Sequence, residues 1–188
     1  MLRIPLKKLP RYECLIEASK QFPDLDPSAC EVFMHLLRAG DEVFRVVENN
    51  YASHGLSQGR FLVLMLLLDK ATNCVVPRTP AELADMLGVT RATITGLIDT
   101  LERDELAKRE PDPDDRRMMS VNLTPKGRAV LDAVLPGHFR SMTEIMSPLN
   151  EHERKTLVRL LNKIFEQAAG LISAKPAPVE DAHAAVEP

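Results

Sequence analysis

Along most of the chain the apolar residues return every three or four positions, the spacing of one face of an α-helix. Asp26-Pro27 reads as an N-cap followed by proline at the first helical position, where its missing N–H does no harm. Val32, Leu36, Val43 and Val47 follow, with Phe33, Leu37 and Phe44 beside them, so a long amphipathic helix is predicted to end near Tyr51. Gly40 weakens its middle by about 1 kcal/mol relative to alanine. Before it, Pro5, Pro10 and Pro23 punctuate residues 1–25, and Tyr12, Leu15 and Ile16 have the spacing of a short helix. His54 to Ser57 is a turn, and Ser57 can cap a helix carrying the run Phe61–Leu68. A helix that apolar is buried on most sides. Asn73 to Arg78 reads as a connection.

Thr79-Pro80-Ala81-Glu82 has capping-box spacing with proline in the first turn. Leu83, Ala84 and Leu87 form the apolar side of the helix that follows, and Gly88 closes it after two turns. Thr90 caps a further helix, and Val89 and Ile94 are placed as a hydrophobic staple across its start. From Leu106 the pattern shortens. Leu106–Glu110 and Met118–Leu123 are extended segments joined by a turn rich in Pro and Asp. Thr124-Pro125 starts another helix, with Val130, Leu131, Val134 and Leu135 on its apolar side. Pro136-Gly137 is expected to kink or briefly break it, after which Met142, Ile145 and Met146 resume the stripe. Asn150 and Glu153 repeat the capping-box spacing ahead of a helix with apolar residues at 157, 160, 161, 164, 165 and 168. Residues 173–188, rich in Ala and Pro, read as a disordered tail.

From Thr79 to Leu123 the order is helix, three-residue turn, helix, hairpin: a helix-turn-helix with a β wing. In the second helix Ile94, Leu97, Ile98 and Leu101 share one face. Ala92, Gly96, Asp99 and Arg103 fall on the opposite one. Two small residues one turn apart let a backbone approach another surface closely, and Arg91, Thr93 and Thr95 flank them as hydrogen-bond donors. A helix entering a major groove needs this: slim at the contact, polar at its edges, its N-terminus toward phosphate. Asp99 fits only if it lies beyond the groove or pairs with a basic residue.

Charge adds a complication. The 188 residues carry a formal charge of −3 and a pI of about 6.0, whereas nucleic-acid binders are often basic. The basic residues are local, however. Between Lys108 and Arg128 six of them outnumber four acids, a formal excess of two. Asp112, Asp114 and Asp115 can bond backbone amides inside the turn and leave Arg116 and Arg117 at its rim, where arginine suits a minor groove.

The run Pro80 to Arg103 resembles the helix-turn-helix of the MarR family. Lys108 to Arg117, followed by Val121-Asn-Leu-Thr-Pro-Lys-Gly-Arg128, resembles that family's wing, most specifically in the Asp-Xaa-Arg element of Asp114 to Arg116. The resemblance implies a mainly α fold with a small β wing. Residues 1–25 would be an N-terminal extension and residues 26–172 the family domain, with the winged helix-turn-helix at about 57–123 between dimerisation helices at about 27–52 and 125–172. It implies a homodimer that straddles a pseudo-palindromic double-stranded DNA operator and represses transcription until a ligand shifts its lobes. Thr90, Arg91, Ala92, Thr93, Thr95 and Gly96 would meet the major groove, and Asp114, Arg116 and Arg117 would form the wing contact, with Arg116 in the minor groove. Two positions depart from the family pattern. Glu105 stands where glycine is usual, which allows a different turn, and Pro136 interrupts a helix that is usually continuous.

Relatives in the family often bind small aromatic acids, so such an effector is the ligand class implied. His35, Arg38, Arg45, Arg60 and Met65 offer cations beside apolar surface, set against the plainer reading of surface cations and core packing. Cysteine-based redox sensing is an alternative through Cys14 or Cys30, although a buried, inert thiol is the expectation for each. The three cysteines lack metal spacing and fit a reducing compartment. The N-terminus has no long apolar segment and no run is long enough to span a bilayer, so a cytoplasmic protein is expected. No phosphate loop, G-x-S-x-G or H-E-x-x-H occurs; neither an enzyme, a cofactor nor a metal is implied. The rival is a winged-helix module that binds protein instead of DNA, which the acidic pI favours.

Overall fold

The computed structural model describes residues 8–69, 72–111 and 118–174. The chain divides into two compact units, residues 1–145 and 146–188.

In the first unit the helices are α1 (Tyr12–Ser19), α2 (Pro27–Ala52), α3 (Gln58–Leu66), α4 (Pro80–Leu87), α5 (Arg91–Arg103) and α6 (Pro125–Ile145), with strands β1 (Ala107–Pro111) and β2 (Met119–Leu123) between α5 and α6. The capping residues act as their side chains require. Asp26 accepts from the amides of Ser28 and Ala29 at the head of α2, and the Ser28 hydroxyl, then these amides, hold its carboxyl below the ordinary value. Ser57 caps α3. Thr79 and Glu82 form a reciprocal capping box on α4.

The core gathers under the two strands and between the helices. Val63, Leu64, Leu67, Leu83, Ile94, Ile98, Leu101, Val121, Leu131 and Val134 are fully buried there. The apolar sides of α3, α4, α5 and α6 meet in it, so burial turns four amphipathic stripes into one cluster. α2 contributes Tyr51 alone to the buried set; Val32, Phe33, Leu37, Phe44 and Val46 stay exposed.

β1 and β2 pair antiparallel, with Ala107 opposite Leu123 and Arg109 opposite Val121. The segment before α4, expected to be a plain connection, does more. Arg78 exchanges both backbone hydrogen bonds with Val121, adding one bridge to the other side of β2, while its guanidinium Nε donates to the carbonyl of Leu66 at 2.7 Å.

Two expectations are narrowed or changed. Of the kink or brief break expected at Pro136, the break does not occur: α6 continues through it. Proline in a helix interior costs about 3 kcal/mol, but Leu131 and Val134 are fully buried beside it and the amide of Asn50 on α2 donates to the carbonyl of Val134, so packing holds the helix. Cys14 is exposed and Cys30 half-buried; neither is the buried thiol expected, because on α1 it is Leu15 that takes the inward position.

The second unit carries α7 (Glu151–Ser173), headed by a capping box of Asn150 and Glu153. Taken by itself it buries none of its side chains. Residues 112–117, with the tip of the wing, and most of the tail lie outside the described residues. Among the described residues no helix is long and apolar enough to cross a membrane.

Candidate nucleic-acid interface

α4 ends at Gly88, whose φ of 63° is the left-handed conformation that glycine adopts without penalty. The amide of Val89 returns to the carbonyl of Ala84, and the chain reverses in three residues. Thr90 then caps α5, accepting from the Thr93 amide at 3.1 Å. This short turn sets α5 across α4 with Ile94, Ile98 and Leu101 inward.

The opposite face of α5 is open. Arg91, Ala92, Thr93, Thr95, Gly96 and Asp99 are all exposed, and a Cβ built on Gly96 meets nothing within 4 Å. The structure therefore brings together Thr90, Arg91, Ala92, Thr93, Thr95 and Gly96 as one slim, polar ridge. Its hydroxyls are already engaged. That of Thr95 donates to the carbonyl of Arg91 at 2.8 Å, and those of Thr90 and Thr93 bond each other. Thr95 is thus left with a methyl group and acceptor lone pairs to present, rather than the donor expected of it, while Arg91 makes no ion pair among the described residues.

Asp99 is paired, as its place on this face demands. The guanidinium of Arg109 on β1 donates to Asp99 at 2.7 Å and to Glu102. Asp114, Arg116 and Arg117 lie outside the described residues.

Sequence reasoning missed a groove beside the ridge, lined by Thr79, Pro80, Ala81, Arg91, Thr95, Met118 and Met119. It forms only where the heads of two helices meet the start of β2, so no local pattern announces it.

Among the described residues the five ligand candidates do not converge through a hydrogen bond or ion pair. His35 and Arg38 are exposed. Arg45 pairs with Glu42 on the surface of α2. Arg60 is held by the carbonyl of Gly55 and by Asp104, the residue that ends α5. Met65 packs against the core. No hydrogen bond or ion pair among the described residues joins His35, Arg38 or Arg45 to Arg60.

A second polar group sits where α2, α3 and α6 meet. Tyr51 stacks on Phe61 with ring centroids 4.3 Å apart, and His138 lies against Phe61 at 5.0 Å. Burial pushes the Tyr51 hydroxyl up from its ordinary pKa and His138 down from its own. Neither residue stood out in the sequence, because 87 positions separate them.

A capped two-helix turn, an exposed slim second helix and a strand pair behind it define a winged helix-turn-helix of the DNA-binding class. Comparison with known proteins agrees. A family model described as MarR family matches residues 54–118. The chain is 36% identical to the HTH-type transcriptional repressor YetL of Bacillus subtilis, over 86% of this chain and 95% of that protein. It is 35% identical to the HTH-type transcriptional repressor NicR of Pseudomonas putida, over 70% and 81%. Among solved structures, BpsR of Bordetella bronchiseptica, whose DNA binding is regulated by 6-hydroxynicotinic acid, superposes with a TM-score of 0.60 at 28% identity, covering 71% of this chain and 91% of that one. A mutant MarR from E. coli complexed with operator DNA shares the fold, with a TM-score of 0.61 at 23% identity over 78% and 96%. The chain belongs to the MarR family of helix-turn-helix transcriptional regulators and is a DNA-binding regulator of transcription.

Proposed function

We propose that this regulator is a non-catalytic, cytoplasmic repressor that binds a pseudo-palindromic operator as a homodimer and releases it on binding a small aromatic acid. The observation that carries the docking mode is the open face of α5 at Ala92 and Gly96, with nothing within 4 Å of a Cβ at Gly96. That face enters the major groove, with Thr90, Arg91, Thr93 and Thr95 at its edges. Asp114, Arg116 and Arg117 belong to the wing contact, with Arg116 in the minor groove. The exposed apolar residues of α2 and α7 support a dimer, since closed two-fold association is the commonest way to cover such faces. The regulation of BpsR by 6-hydroxynicotinic acid supports an aromatic acid as the effector class.

Fluorescence anisotropy on a duplex selected by the protein, and on a scrambled one, tests the docking. Gly96→Leu should fold, because leucine is the better helix former by most of about 1 kcal/mol, yet bring operator binding down toward the non-specific level, a loss that can reach about 4 kcal/mol. Arg116→Ala should weaken binding to both duplexes and lower the salt slope by about 1. If both folded variants bind the operator like the parent, a protein-binding module is the better reading. A thermal-shift screen tests the effector, since a ligand of the folded state raises Tm. If no aromatic acid registers while peroxide alone releases DNA, sensing runs through a thiol, with exposed Cys14 and half-buried Cys30 as the candidates.

A further inference from the structure

The face of α5 that would approach DNA carries an acid. Asp99 shares its exposed side with Ala92 and Gly96, and an unscreened carboxylate there repels phosphate. The structure answers it from the wing. Arg109 donates through one guanidinium nitrogen to Asp99 at 2.7 Å and through the other to Glu102. Its backbone N–H donates to the second oxygen of Glu102 at 2.6 Å. One residue of β1 thus makes three bonds to two carboxylates three positions apart on the helix. Its side chain is only 26% exposed. A planar guanidinium can span both acids, whereas a lysine ammonium is a point charge.

These bonds lie at the rim of the fold. α5 is already anchored by Ile94, Ile98 and Leu101, and the start of the hairpin by Leu106, Ala107 and Leu123, all buried. Losing the ion pairs should therefore leave the fold in place and disturb chiefly the angle between helix and wing and the charge beside the contact ridge.

We infer that Arg109 is a positioning residue for DNA recognition: it masks Asp99 beside the base-reading ridge and ties the wing strand to α5, so that both elements meet the duplex at one spacing. The inference rests on the reading that α5 faces DNA.

The test uses the full chain and a duplex that the parent protein itself selects from a randomised library. If the parent selects none, the docking reading fails before Arg109 is in question. Given such a duplex, Arg109→Met should bind it about tenfold more weakly, with circular dichroism and Tm close to the parent's and the salt slope unchanged, because Arg109 touches α5 and not phosphate. Adding Asp99→Asn should recover part of that loss, and more than Asp99→Asn gains in the parent background. Arg109→Lys should lie between parent and Arg109→Met, and it carries the test should Arg109→Met not fold. Parent-like binding by the folded variants overturns the inference. So does a salt slope lowered by about 1, which would make Arg109 a phosphate contact, or an Asp99→Asn effect equal in both backgrounds.

Discussion

The hydroxyl of Tyr51 lies 3.2 Å from Nδ1 of His138, joining the end of α2 to the middle of α6 over the ring of Phe61. Burial favours the neutral imidazole there. A histidine whose folded pKa is depressed contributes stability that is complete above its unfolded value, about 6.5, and is lost as pH falls through the lower folded value. Tm is therefore expected to be level from pH 8 to about 7 and to fall on acidification, before most carboxylates titrate. His138→Phe keeps an aromatic ring in the stack and should flatten that part of the profile. Thermal melts of both proteins across this range check it; parallel profiles would count against the assignment.

Glu105 occupies a glycine's conformation. Its φ is 62°, and the two amides that close α5 there, Glu105 to Glu102 and Leu106 to Leu101, make the same return that Gly88 and Val89 make at the end of α4. The departure from the family's glycine thus leaves the left-handed turn in place and adds strain to it. Glu105→Gly should be more stable than Glu105→Ala by about 1 kcal/mol, reversing the usual order of the two residues. Both variants lose the pairing of Glu105 with Lys126, so urea titration of the two isolates the backbone effect.

Two helical glycines should respond to alanine with opposite signs. A Cβ on Gly127 would sit 2.0 Å from the carbonyl oxygen of Leu106, in backbone that α6 and the strand pair hold on both sides. Gly127→Ala is expected to destabilise the fold by about 2–3 kcal/mol. Gly96 has open space, so Gly96→Ala should stabilise it by up to about 1 kcal/mol. Equilibrium unfolding of both variants reads the difference directly.

α7 leaves Leu157, Leu160, Leu161, Ile164 and Phe165 exposed, the last at 72%. If this stripe lies in a dimer interface, Leu161→Glu should keep the helical signal and shift the protein toward monomer. Sedimentation velocity at micromolar concentration measures that shift. A parent that sediments as a monomer would remove the basis for the prediction.

Local chemistry determined much of this protein in the sequence itself. Asp26, Ser57, Thr79, Thr90 and Asn150 each begin a helix because a short oxygen-bearing side chain can accept from the first free amides, and that requirement is met within three residues. Gly88 ends α4 for an equally local reason. The open ridge of α5 was legible too, since the inward set Ile94, Ile98 and Leu101 leaves Ala92 and Gly96 outward by helical geometry alone. Tertiary structure decided what depends on residues far apart in the chain. Pro136 remains inside a helix because packing around Leu131, Val134 and Asn50 outweighs its local preference. Arg78 joins the sheet because Val121 stands beside it. Asp99 is tolerated on the outer face because β1 folds back to place Arg109 within 2.7 Å. The pairing of Tyr51 with His138 has the same origin. Periodicity states which side of an element turns inward; which partner that side meets is set by long-range packing.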